Sequence, residues 1–209
     1  VCRHPQSQRN LFSPNVECPM SSIAVVLTFW FGDPTGSKAQ RRKEWFQKNP
    51  DFDQLIRDRF LATYQQAAAG QWDHWATTAP GALALILVLD QFPRNLFRQE
   101  PQAFATDGKA LQVAQTAIAQ GWDQTLPPIQ RWFLYMPLMH SEDRAIQAKS
   151  VQLFQPLAAI PETRDCYTYA LRHQAIIDQF GRFPHRNVIL GRQNTPAETE
   201  FLQQPGSSF

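Results

Sequence analysis

The chain has 209 residues, enough to bury one sizeable core but short of two comfortably separate domains, so a single domain is expected. Hydrophobic residues make up 43% of it and charged residues 18%, a globular balance that argues against disorder over most of the length. The formal charge of +2 at pH 7 gives no long-range field for wrapping nucleic acid or adhering to anionic lipid, which sets both aside as partners.

The three cysteines, Cys2, Cys18 and Cys166, are odd in number and form no CxxC pair. They predict neither a disulfide framework nor a zinc site, and a reducing, cytoplasmic location fits them best. The longest apolar run, Ala82 to Leu89, falls far short of the roughly 20 residues that span a bilayer. No basic segment is followed by an apolar stretch near the N-terminus, so neither export nor membrane insertion is expected. Val1 to Pro19 is polar and without helical or strand period. It reads as a disordered or non-native lead-in that truncation to Met20 would leave dispensable, with residues 20–209 as the domain.

From Ser22 onward the pattern is helical. Ile23, Val26, Leu27 and Trp30 recur at helical spacing up to Gly32, and a short helix carries Trp45 and Phe46. Asp51 or Asp53 can cap a helix whose Phe52, Leu55, Ile56, Phe60 and Tyr64 form one face until Gly70. Thr77, Thr78 and Pro80 open the next, which is apolar on every side from Ala82 to Leu89, should be the central covered helix and ends near Phe92-Pro93. Asp107 to Gln120 is a helix stopped by Gly121, and Pro127-Pro128 opens an aromatic segment that Pro137 should kink or end. Ser141 can cap a helix through Ile146, Val151 and Phe154, and a long helix from about Thr163 to Phe180 closes at Gly181. Thr195, Pro196 and Glu198 spell a capping box with proline at the first helical position. No run of alternating β-branched residues appears. The expected fold is all-α: about nine helices stacked as antiparallel pairs, in an α-solenoid or an irregular helical bundle.

The chain echoes itself. Leu89 to Asn95 resembles Ile177 to Asn187 through the elements D-Q-F-x-R and F-P-(x)-R-N, as a duplicated helical unit would. In both copies an Asp stands four residues before an Arg, Asp90 before Arg94 and Asp178 before Arg182, a spacing that allows an ion pair on one helix face.

Five phrases make a family resemblance specific: Phe29-Trp30-Phe31-Gly32, Leu89 to Asn95, Ala103-Phe104-Ala105-Thr106-Asp107, His140-Ser141-Glu142-Asp143 and Phe180 to Arg192. In that order, over roughly Ser22 to Phe209, the chain resembles the bacterial family catalogued as domain of unknown function 924. The resemblance implies a tetratricopeptide-repeat-like, all-helical fold and no established activity.

Three constellations could carry chemistry. Arg94, Asn95, Arg182, His185, Arg186, Asn187 and Arg192 offer guanidinium forks and neutral donors suited to carboxylate or phosphate. Their structural alternative is a network with Asp90, Asp178, Glu142 and Asp143 that pins loops to helix ends. The two echoes are expected to meet around one polar cluster with His140 or Glu142 close by. Arginines in excess of carboxylates there would imply an anionic ligand, and a one-to-one match a structural network. His140, Ser141, Glu142 and Asp143 place an imidazole and two carboxylates in one turn, but they also spell a helix N-terminus and lack a metal-ligand spacing such as H-E-x-x-H. No metal is therefore assigned. His173 shares a face with Tyr169, Ile176, Ile177 and Phe180 and reads more readily as a core histidine than as a catalyst. There is no G-x-S-x-G elbow, no phosphate loop and no G-x-G-x-x-G fingerprint, so no cofactor is assigned.

Two functions follow from different classes. The first and slightly favoured is a binding or scaffold module for a peptide or protein segment. The second is a small-molecule binder or enzyme acting on an anionic metabolite, with Arg94, Arg182 and Arg186 gripping the anion and His140, His173 or His185 moving a proton. A closed pocket at the meeting of the echoes would favour the second, and an open groove lined by Trp and Phe the first.

Overall fold

The computed structural model describes residues 22–33, 35 and 40–208. The lead-in Val1 to Pro19 and the truncation point at Met20 lie outside the described residues. Among those residues the chain is all-helical, without a strand. The described residues form nine α-helices in chain order: α1 Ile23–Phe31, α2 Pro50–Ala68, α3 Ala79–Ile86, α4 Phe92–Leu96, α5 Asp107–Ala119, α6 Pro128–Met139, α7 Arg144–Phe154, α8 Cys166–Phe180 and α9 Pro196–Leu202. Short 3-10 turns fill many of the joints. None of the described helices is long and apolar enough to cross a membrane.

Caps define most of these ends. Ser22 accepts from the Val25 amide to open α1, and Thr78 accepts from the Gly81 amide to open α3. In α9 the capping box forms as the sequence predicts, with Thr195 and Glu198 bonding each other's amides. Two caps differ from expectation. Asn49, not Asp51 or Asp53, caps α2 by accepting from the Asp51 and Phe52 amides, because Pro50 fits the first helical position and moves the start upstream. Asp143, not Ser141, caps α7, while the Ser141 hydroxyl accepts from the Asp143 amide and shapes the turn before it. The α8 helix begins at Cys166, after a separate 3-10 turn at Pro161–Thr163.

Every residue from Ala82 to Leu89 is fully buried, as an all-apolar run requires. Helix α3 packs against α1, α5 and α6, the pattern of a bundle built around a central rod. Large rings fill the space around it: Trp30 stacks on Trp45 with centroids 6.0 Å apart and meets Phe133 edge-on at 5.5 Å. On α2, Phe52, Ile56, Phe60 and Tyr64 face the core, whereas Leu55 is exposed and off the predicted stripe. Gly81 allows this close fit, since a Cβ there would lie 2.1 Å from the Trp75 carbonyl oxygen. The thiol of Cys166 is buried, and burial pushes it up to about 12, which leaves it inert as a nucleophile.

The rod does not end at Phe92-Pro93. It continues through a π turn at Leu87–Gln91 into α4. Pro93 has no amide hydrogen and would press on the carbonyl four residues earlier, that of Leu89. The wider turn absorbs this, with the Phe92 amide reaching back five residues to the Leu87 carbonyl. The Leu89 carbonyl instead accepts from the Thr106 hydroxyl at 2.5 Å. Thr106 is thereby spent on the rod and gives no side-chain cap to α5. Proline is likewise accommodated in α6, where Pro137 lies inside the helix rather than ending it.

Candidate functional site

The π turn sets Asp90 in the centre of the molecule, fully buried. Both of its oxygens are engaged. Oδ1 accepts from His140 Nδ1 at 2.7 Å and lies 3.4 Å from Arg94 Nη1, and Oδ2 accepts from Gln91 at 2.5 Å. Arg94 follows Asp90 by one turn, so the predicted ion pair forms, and its Nη1 also donates to the Asp90 carbonyl. The other guanidinium nitrogen of Arg94 donates to Asp107 Oδ2 at 3.0 Å, at the start of α5.

Arg186 arrives from the second echo and shares that carboxylate, its Nη1 lying 3.5 Å from Asp107 Oδ2. The first and second echoes therefore meet at Asp107. Arg186 is only 7% exposed, and its guanidinium lies between the rings of Phe104 and Phe183, 4.8 and 4.6 Å from their centroids. Its Nε and Asp107 Oδ1 are buried without a hydrogen-bond partner. Glu142 completes the cluster through a bidentate pair with Arg192, at 2.8 and 3.0 Å, and accepts from the Phe183 amide at 2.8 Å.

Electrostatics follow from burial and these partners. Burial alone would raise Asp90, but Arg94 and His140 overcome it and hold the carboxyl well below the usual range. Burial first, and then the Arg94 charge, lower His140 against the opposing pull of Asp90. Its imidazole is thus neutral near pH 7. Because the carboxylate accepts, Nδ1 carries the proton and Nε2 keeps its lone pair. His173 is buried, its Nδ1 donates to the Tyr169 carbonyl at 2.8 Å, and burial lowers it strongly. That is the core role the sequence predicts, although its ring lies 6.3 Å from that of His140. Burial and Arg186 bring His185 down to about 4, and burial and Arg94 bring Arg186 down to about 10, still charged at neutral pH.

A pocket of about 340 Å³ opens on this cluster, lined by Pro101, Phe104, Ala105, Asp107, Gly108, Leu111, Pro137, His140, Ser141, Glu142, Arg186 and Leu190. The candidate residues divide around it. Arg94, His140, Glu142, His173, His185 and Arg186 gather at or behind the pocket. Asn95 points away to Asp53, which it shares with Arg98. Arg182 binds Glu198 at 2.6 and 2.8 Å instead of its echo partner Asp178, because the chain turns at Gly181 and brings α9 alongside. Asn187 bonds Asn194 at 2.7 Å. A second hollow of about 560 Å³ lies beside Arg182 and Glu198, but those charges satisfy each other. Asp107 and Phe104 were not among the candidate site residues, although both stand in one of the five family-like phrases.

Counted formally, Arg94, Arg186 and Arg192 face Asp90, Asp107 and Glu142. By that measure the network is structural, and Arg186 is the member whose partner is shared and distant. Asp143 caps a helix and joins no arginine there. Among the described residues no group of three or more His, Cys, Asp or Glu is placed to hold a metal ion.

An all-helical bundle with a buried polar cluster defines the class. The model of a family described as bacterial protein of unknown function, DUF924, matches residues 26–206, and the chain belongs to that family. Its fold is also that of a solved protein of unknown function, ATU0120 from Agrobacterium tumefaciens, 38% identical, with a TM-score of 0.78 over 88% of this chain and 97% of that one. No curated protein matches.

Proposed function

We propose that the pocket binds a small carboxylate with an apolar body, and that Arg186 is the anchor. The observation that carries this reading is a buried guanidinium, held between two rings, with an unsatisfied Nε and only a shared carboxylate 3.5 Å away. A buried donor without a partner costs about 1–3 kcal/mol, and a ligand oxygen that draws the guanidinium towards the pocket would recover it. The α5 N-terminus adds to the attraction, since Thr106 leaves it without a side-chain cap and Gly108 faces open space. Asp107 and Glu142 in the same lining disfavour a dianion, so a carboxylate fits better than a phosphate. Phe104, Leu111 and Leu190 give the rest of the ligand an apolar wall.

A peptide groove has less support. All six tryptophans belong to the core or pack against it, and four of them are buried.

The test is thermal denaturation of the wild type, Arg186→Lys and Arg186→Gln with butyrate, benzoate or inorganic phosphate. The expected result is a midpoint raised by butyrate or benzoate in the wild type, less in Arg186→Lys and not in Arg186→Gln. A midpoint that no anion moves, or that moves equally in all three proteins, would overturn the proposal.

A further inference from the structure

Beyond binding, the pocket holds a base. Asp90, fully buried, accepts a hydrogen bond from Nδ1–H of His140 at 2.7 Å, and that bond fixes the ring so that Nε2 is the lone-pair nitrogen. Nε2 has no protein hydrogen bond among the described residues, while His140 lines the same pocket as Arg186. Gln91 and Arg94 hold the Asp90 carboxylate in turn, so the orienting group is itself locked. This is the arrangement of a general base: an imidazole with one nitrogen held by a buried carboxylate and the other without a protein partner, in a residue that lines a pocket. The charged and titratable groups facing it are Asp90 and Arg94 from the rod, Asp107 from α5, His173 from α8 and His185 from the loop after it.

We infer that the pocket is catalytic, with His140 Nε2 taking a proton from the carboxylate-bearing molecule held by Arg186 and Asp90 acting as its positioning residue. The inference rests on the anion-binding reading above. The proton passes to Nε2 and the bonding electron pair stays on the substrate. Arg186 balances the charge that develops there, Asp90 balances the imidazolium, and the same proton returns to the product. No oxidant, reductant or second substrate is needed, so the reaction class is a proton-transfer isomerisation of a small carboxylate.

Acylation by diethylpyrocarbonate, followed residue by residue with mass spectrometry, tests the inference. His140 should be acylated at Nε2 faster than His173. Saturating butyrate or benzoate should slow His140 at least tenfold. Asp90→Asn should move the pH inflection of His140 acylation downward, since the imidazolium loses its counter-charge. An inflection that stays in place would mean that Asp90 does not hold the imidazole, and would overturn its positioning role. If Asp90→Asn does not fold, the wild-type rate and its protection decide alone. An unreactive His140, or one acylated at an undiminished rate while butyrate or benzoate raises the thermal midpoint, would overturn the catalytic inference and leave the binding reading intact. If neither carboxylate raises the midpoint, the binding reading falls and the inference falls with it, whatever the reactivity of His140.

Discussion

Asp90 shows how much one buried carboxylate can organise. Taking it out of water costs several kcal/mol, and the cost is offset only because Arg94, His140 and Gln91 all bond to it. Removing the charge strands His140 and leaves Arg94 only Asp107, so Asp90→Ala should lose about 3–5 kcal/mol, read as a lower urea midpoint at unchanged slope. A loss near zero would mean that the network relaxes around the change. The ion pair with Arg94 was legible from the four-residue spacing. Its tie to His140 was not, because fifty residues separate them and only the packing of α6 beside the rod joins them. Asp107 escaped notice for a related reason: in sequence it reads as an acidic residue in a first helical turn, and its two arginines come from distant segments.

At the scale of the element, the helix through Ala82 to Leu89 was plain from its apolar content, but its course past Pro93 was not. Proline ordinarily marks a helix end. Here the π turn carries the helix on, and this is what places Asp90 and Arg94 beside α5. The Thr106 hydroxyl secures the displaced Leu89 carbonyl. Thr106→Val, similar in volume, should therefore cost about 1–3 kcal/mol by orphaning that carbonyl, with the helical circular dichroism unchanged and the urea midpoint lowered. An unaltered midpoint would show that the carbonyl finds another donor. In the fully buried stretch, Leu85→Asp should abolish folding, since an unpaired carboxylate there costs about as much as the whole stability. A soluble, helical Leu85→Asp protein would contradict the burial.

The molecule as a whole should be acid-sensitive. His140, His173 and His185 are held below the ordinary histidine value, so below about pH 6.5 the unfolded chain takes up protons that the folded one refuses. Stability falls as pH drops through that point and towards about 4, the value for His185. The depressed carboxyls Asp90 and Glu142 contribute above their ordinary values near 4 and lose that contribution only below. Urea midpoints measured from neutral pH down to about 4.5 should therefore decline, and less steeply in His173→Gln. A flat profile would mean that the histidines titrate normally in the fold. The helices and most of their caps could be read from pattern alone, because both are local. The pocket could not, since segments far apart in sequence line it and only the bundle brings Arg94 and Arg186 together at Asp107.

The central claim concerns the Arg186 side chain, and nitrogen-edited NMR of arginine Nε–H groups reads it directly, with Arg186→Lys assigning the signal. Titration with butyrate or benzoate should move the Arg186 Nε–H resonance downfield and slow its exchange with water, while Arg182, paired with Glu198 at the other hollow, stays in place. An Arg186 resonance that ignores both carboxylates, or shifts no more than that of Arg182, would contradict the account.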